Sequence, residues 1–343
     1  MKRRTRFASL VAFLAVLHLI VLLAGFFAPY DAATQNRSYP FAPPTRLHFF
    51  DAGGRFHLRP FVYPWVERPG SYGEYQQDFS HPAPLRFFVT GEPYRIGGLI
   101  PSGVHFFGVD PPAQIYLLGS DAYGRDLLSR MLYGGQISLL AGLLATALSL
   151  VIGLMLGALA GFYGGWIDDL LMRGADLFLA LPWLYLLFAI RAFLPLQINP
   201  MEAFFLVVAV IGAIGWTRPA RLVRGVVLSA RERDFVRAAR GFGASDFYLL
   251  RRHVLPQTFG VLLTQAAVLV PQFILAEVTL SFLGLGVSEP MPSWGNMLAS
   301  LQQYHVLASY WWMFLPGLAL VPFFFGYLAL ASMLHERVRA ASV

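Results

Sequence analysis

A single lysine, Lys2, and the complete absence of cysteine decide much of the chemistry open to this 343-residue chain. A loop that cradles nucleotide phosphates needs Gly-x-x-x-x-Gly followed by Lys and Ser or Thr, with the lysine on the terminal phosphates. Lys2 stands ahead of the first apolar run, so hydrolysis of a nucleotide by that chemistry is excluded. Without cysteine there is no disulfide framework, thiolate metal site or cysteine nucleophile. The eight histidines form neither a His-Glu-x-x-His helix nor a compact ligand spacing, and isolated ones such as His18 read as packed or interfacial. No metal or other cofactor is therefore expected. What remains is a set of acids and arginines. Glu277 lies in the apolar stretch ILAEVTLSFLGLG, where an ionisable group is expensive and counts as a functional hypothesis. It is either a pathway or relay residue or a structural partner hydrogen-bonded to another helix. With no second acid or histidine close in sequence, the structural reading is favoured. Asp168, Asp169 and Asp176 are expected to pair with arginines of 218–252, and Asp121, Arg125 and Asp126 to form a capped, ion-paired loop.

These residues are embedded in a chain that is 57% hydrophobic and 13% charged, with a mean hydropathy of +0.56. Soluble domains average about 25% charged residues, so the solvent implied is lipid. The net charge of +7 sits beside apolar runs and not on one soluble face, which argues against a nucleic-acid partner. An uncharged run from Phe7 to Pro29 follows four basic residues and spans roughly 33 Å, enough to cross a hydrocarbon core of about 30 Å. It is read as an uncleaved first helix, because a signal peptide has a shorter apolar region and a small-x-small end. Further spans are expected at about 133–162, 171–194, 201–217, 257–286 and 312–334. The fold class is thus an all-α membrane protein with about six transmembrane helices.

Three regions follow: 1–30 with the first helix, 31–130 as an extracytoplasmic insert and lead-in, and 131–343 as the membrane core, which carries a polar segment at 218–256. Twelve prolines between Asp31 and Pro112 block helix interiors and central strands alike. The insert is therefore expected to be loop-rich and partly β, with Phe49, Phe50, Phe61, Tyr63, Trp65, Phe87 and Phe88 as its minor core. Nine arginines lie in 218–252, while the short loops 195–200 and 287–311 carry no Arg or Lys. By the positive-inside rule both termini are expected in the cytoplasm.

The polar segment runs TRPARLVRGVVLSARERDFVRAARGFGASDFYLLRRHVLP, Thr217 to Pro256. Ser229 is a plausible N-cap for a helix starting near Ala230, and Gly241 and Gly243 are expected to interrupt it. Ser245 can cap a second short helix that ends before Pro256. A helix–glycine turn–helix of this kind suits a peg seated in a groove of a soluble partner. The plainer reading is a basic loop that holds topology or binds anionic headgroups of the bilayer.

The order of residues here resembles the cytoplasmic signature of binding-protein-dependent ABC importer permeases: a Glu-Ala-Ala triplet, Gly four residues on, then Leu-Pro. Ala238, Ala239, Gly243, Leu255 and Pro256 stand at the matching positions, and Arg237 replaces the leading Glu with the opposite charge. LLGSDAYGRDLLSRMLYGGQISLL (117–140), GFYGGWIDDLLMRGADLFLALP (161–182) and SFLGLGVSEPMPSWGNML (281–298) resemble motifs of the peptide/nickel type, second permease of the pair. The resemblance covers about 117–335. It implies the type I importer permease fold in a bacterial inner membrane, a second homologous permease subunit, two ATPase subunits and an external substrate-binding protein. It also implies that Arg237, Ala238, Ala239, Gly243, Ala244, Ser245, Asp246, Leu255 and Pro256 dock an ATPase. The rival class is an ion- or proton-coupled secondary transporter, which usually shows internal repeats and paired broken helices. No convincing repeat relates the two halves.

Overall fold

The computed structural model describes residues 2–51, 53–71, 73–180, 182, 185–186, 188–189 and 199–341. Eight helices carry the architecture: α1 (Lys2–Leu22), α2 (Leu127–Tyr163), α3 (Gly165–Ala180), α4 (Pro200–Gly215), α5 (Thr217–Arg231), α6 (Asp234–Gly241), α7 (Phe259–Phe282) and α8 (Leu315–Ala341). Among the described residues, four stretches are long and apolar enough to cross a membrane: Arg4–Leu22, Leu127–Tyr163, Asp246–Phe282 and Trp311–Arg337. The α4–α5 pair adds a fifth if it counts as one span bent by 41°. The expected span at 171–194 begins in α3 but, like the loop 195–200, lies partly outside the described residues.

Local chemistry explains several boundaries. Asn199 caps α4, its side-chain oxygen accepting from the Met201 N–H at 3.0 Å, and Pro200 occupies the first turn, where its missing N–H costs nothing. The bend after α4 coincides with Pro219, which has no N–H for the carbonyl one turn back, in Gly215. Ser229 is not an N-cap. It lies inside α5, which continues to Arg231 because Ala220, Val223, Val227 and Ala230 bury one face at helical spacing. The chain does not stop before Pro256 either. A short helix, Asp246–Leu249, passes through a π turn (Leu250–Val254) and a 3-10 turn (Leu255–Thr258) into α7. The change of hydrogen-bond period accommodates the proline that an unbroken α-helix would not.

Contacts divide the chain into two compact units, one of 1–14, 139–279 and 322–343, the other of 15–138 and 280–321. In the first, Phe7 of α1 packs with Ala267 of α7 and Ala331 and Leu334 of α8. In the second, short antiparallel strands form three small sheets: β1 (His48–Phe50), β2 (Phe56–Val62) and β5 (Ala83–Pro84) in the order β1-β2-β5; β3 (Trp65–Glu67) with β4 (Tyr75–Gln77); and the hairpin of β6 (Arg86–Ile96) and β7 (Ile100–Gly108). Val62, Ala83, Leu85, Phe107 and Ile115 form a core under these strands. Of the aromatics expected in that core, Phe61 and Tyr63 are buried, whereas Phe49, Phe50, Phe87 and Phe88 are exposed. Sheets of two or three strands leave one face without an opposing layer, so alternation sends half of these rings outward.

Candidate partner-docking segment

Residues 231–258 stand on a frame supplied by α2 and α5. Val223, Val227 and Ala230 of α5 pack with Ala158 and Phe162 of α2, and Val236, Leu249 and Val254 complete the same cluster. Close approach of the two long helices depends on Gly153, Gly157 and Gly161, one per turn along α2. A Cβ at Gly153 would stand 2.6 Å from Pro219 Cβ, one at Gly157 would overlap the Ala220 carbonyl oxygen, and one at Gly161 would lie 2.9 Å from the Arg224 carbonyl oxygen. This is the small-residue packing used between membrane helices. Arg231 then closes the end of α2, donating to the Gly161 and Phe162 carbonyls at 2.8 and 3.1 Å, which lack intrahelical partners. Asp168 and Asp176 of α3 pair with Arg224 and Arg221 of α5, as their sequence positions suggested.

From this frame the chain turns at Arg233, which is extended (φ −68°, ψ 144°), and enters α6. Gly241 is helical. The reversal is made at Gly243, with φ +84°, a conformation that glycine adopts without the Cβ penalty. The Gly243 N–H donates to the Arg240 carbonyl at 3.0 Å and the Ala244 N–H to the Ala239 carbonyl at 3.1 Å, so the turn satisfies the carbonyls at the helix end. Ser245 caps the next helix, its Oγ accepting from the Tyr248 N–H at 3.4 Å.

The outer face of this element is left uncovered. Arg237, Ala238, Gly243, Ser245, Asp246 and Pro256 are exposed, Ala239, Ala244 and Leu255 are half-buried, and Phe242 is 92% exposed. Ala239, Gly243, Ala244, Ser245, Tyr248 and His253 line an open hollow of about 610 Å3. Arg237 donates to Glu232 at 2.6 Å, and this hydrogen bond holds the Glu232 carboxyl below its usual range. The arginine that replaces the family's acid is therefore already paired within its own chain.

Glu277 is fully buried on α7. The loop Asp121–Asp126 is ion-paired as expected, with a larger network than its own residues suggested. Arg125 bonds Asp121 at 2.6 Å and grips Glu289 with both terminal nitrogens, at 2.8 and 3.2 Å; Arg130 adds a bond to Glu289 at 2.7 Å. The arginine side chains are 7% and 2% exposed and that of Glu289 is 46% exposed. Asp126 accepts from the Ser129 N–H and hydroxyl at 2.7 and 2.6 Å, and burial pushes its carboxyl up to about 7. Sequence reasoning quoted Glu289 within a motif without assigning it a partner, because an ion pair across more than 150 residues leaves no local signal. The glycine ladder did leave one, in the four-residue spacing.

Apolar helices of membrane-spanning length, one of them leading out of an exposed, glycine-turned helical element, define a multi-pass membrane protein. Residues 153–340 match the family described as binding-protein-dependent transport system inner membrane component, and the chain belongs to that family. It is 33% identical over 208 residues to the dipeptide transport system permease protein DppC of Bacillus subtilis, which covers 60% of this chain and 63% of that relative. The chain thus spans less than two thirds of that relative's length. A protein of Brucella ovis, named as a candidate peptide permease, is 39% identical over 211 residues, or 61% of this chain and 68% of the relative. Among solved structures, an amino acid ABC transporter with histidines aligns with TM-score 0.43 at 16% identity, covering 62% of this chain and 94% of that one. The MetNI methionine ABC transporter in an inward-facing form aligns with TM-score 0.44 at 18% identity, covering 60% and 94%.

Proposed function

We propose that this chain is the permease subunit of an ATP-driven ABC importer for peptides or similar small solutes. It forms half of a translocation pathway with a second homologous permease and receives solute from an external binding protein. Cytoplasmic ATPase subunits dock on residues 230–256 and hydrolyse the nucleotide, since this chain has no lysine beyond Lys2. Closure of the ATPases moves that element and switches access of the pathway from outside to inside. Both termini lie in the cytoplasm, as the run of arginines in 218–252 and the two short arginine-free outer loops suggest, the nine arginines of 31–130 lying in a long segment that the rule does not govern. The cargo class rests on the names of the relatives. Family membership gives no support to a secondary transporter working alone.

The observation that carries the docking assignment is the exposed face around Gly243, rigidly framed from behind and uncovered in front. Among the described residues nothing lies within 4 Å of a Cβ placed at Gly243, so a substitution there meets only the backbone penalty of positive φ, about 1–2 kcal/mol. Gly243→Asp is expected to insert and accumulate in the membrane yet lose co-purifying ATPase subunits and transport, because an unpaired charge would be buried at the contact. Retention of the ATPases with full substrate-stimulated turnover would show that 230–256 is only a basic topogenic loop.

A further inference from the structure

The four arginines of α5 do not share one fate. Arg221 and Arg224 are neutralised by Asp176 and Asp168, and Arg231 is held by Glu232 and two carbonyls of α2. Arg218, by contrast, has no acidic partner among the described residues. It stands in the first turn of α5, where the helix dipole disfavours a cation and favours an anion. It also follows directly on the apolar helix α4, a position where a charge needs a counter-ion or water.

Arg218 lines a recess of about 450 Å3 within the unit that contains α3, α4, α5 and α7. Phe178, Ile211, Ile214, Leu269 and Phe273 give the recess apolar walls, and Gln272, one residue past Pro271 in α7, is the other long polar side chain on its lining among the described residues. The volume lies within the ~300–1,000 Å3 range of small-molecule sites, and a mostly apolar wall with a few convergent polar groups is their usual make-up. Gly215 keeps the space between α4 and α7 narrow at this point, since a Cβ there would collide with the Phe273 ring.

We propose that this recess is a subsite for the carboxylate end of a small solute carrying an apolar side chain, such as the free C-terminus of a peptide. Arg218 grips the two carboxylate oxygens through its planar fork, Gln272 hydrogen-bonds the adjacent amide, and the apolar walls take the side chain. The proposal deepens the permease reading and rests on it for the arrival of such solutes. The same anion chemistry could come from a lipid phosphate, and the test separates the two.

Full-length chain in phosphatidylcholine nanodiscs would be titrated with N-acetyl-L-phenylalanine and with its C-terminal amide, binding being read by saturation-transfer NMR. The wild type should bind the acid roughly tenfold or more tightly than the amide, as expected for loss of a charge-assisted pair. Arg218→Gln should abolish that preference, leaving equal weak binding to the apolar walls, and Gln272→Ala should weaken the acid several-fold. Equal binding of acid and amide to the wild type would overturn the proposal even if the variants did not fold. So would a preference that survives in Arg218→Gln. Loss of acid binding in discs containing phosphatidylglycerol would assign the recess to a lipid headgroup instead. The measurement needs no ATPase: a preference that holds while no ATPase co-purifies with the chain would sink the permease reading and leave the subsite standing. The reverse result would sink the subsite alone.

Discussion

Alanine at Gly157 sets two opposing effects against each other inside one helix contact. Alanine favours the helix by about 1 kcal/mol over glycine. Its methyl group, however, would overlap the Ala220 carbonyl oxygen and come within 2.9 Å of the Val223 Cβ. A backbone carbonyl held in the first turn of α5 has no rotamer to escape through, so the helices must separate. Overpacking of this kind costs about 1–3 kcal/mol, so the net effect of Gly157→Ala is a destabilisation of about 0–2 kcal/mol, and Gly157→Leu should fall beyond it. Gly225, on α5 itself, has nothing among the described residues within 4 Å of an added Cβ, so Gly225→Ala should gain up to about 1 kcal/mol from propensity alone. The two substitutions are chemically identical and should shift stability in opposite directions. Thermal unfolding of the detergent-purified chain, followed by size-exclusion recovery, reads the sign of each. Equal shifts for the two variants would mean that α2 and α5 are not in close backbone contact, and the frame proposed for the docking segment would go with it.

Glu289→Gln should leave Arg125 and Arg130 short of a counter-charge. Breaking a buried pair costs about 3–5 kcal/mol, and with Glu289 46% exposed a loss of about 1–3 kcal/mol is expected, with faster amide hydrogen exchange in 280–293. Asp126 should make stability depend on pH. The folded state keeps this proton up to about 7 whereas the unfolded chain releases it near 3.8, so between those values the folded state binds more protons and stability falls as pH rises. Asp126→Asn should flatten that slope in a melting series from pH 4 to 8, and an unchanged slope would contradict the assignment. Glu277→Gln should retain assembly and most transport if the buried carboxyl only joins helices, since the amide preserves hydrogen bonding; transport lost from an intact assembly would identify Glu277 as a relay.

Features that depend on solvent and on near neighbours were legible in the sequence. The apolar runs announce lipid because transfer free energy sums over composition whatever the fold. Ser245 as an N-cap and the reversal at Gly243 follow from hydrogen bonds and φ angles within five residues. The same local reasoning misplaced a helix start at Ser229, whose favourable capping chemistry was outweighed by the buried stripe Val223–Val227–Ala230 packing on α2. It also ended a helix at Pro256, where a change of hydrogen-bond period carries the chain through.

The charge pattern by itself predicted that the acids of α3 would meet arginines, but not which arginine of α5 would have no acidic partner among the described residues. That choice belongs to the tertiary structure, because the direction α5 takes after its bend sets Arg221 and Arg224 beside Asp176 and Asp168 while Arg218 lines the recess. Likewise the Asp121–Arg125 pair was written in adjacent residues, whereas Glu289 joins it only once the chain has folded, since a buried cation is stabilised by whichever carboxylate packing brings near. Composition and spacing thus determined that the chain spans a membrane and bears a glycine-turned peg. Which charges are cancelled, and which is left facing a recess, depended on contacts between helices far apart in sequence.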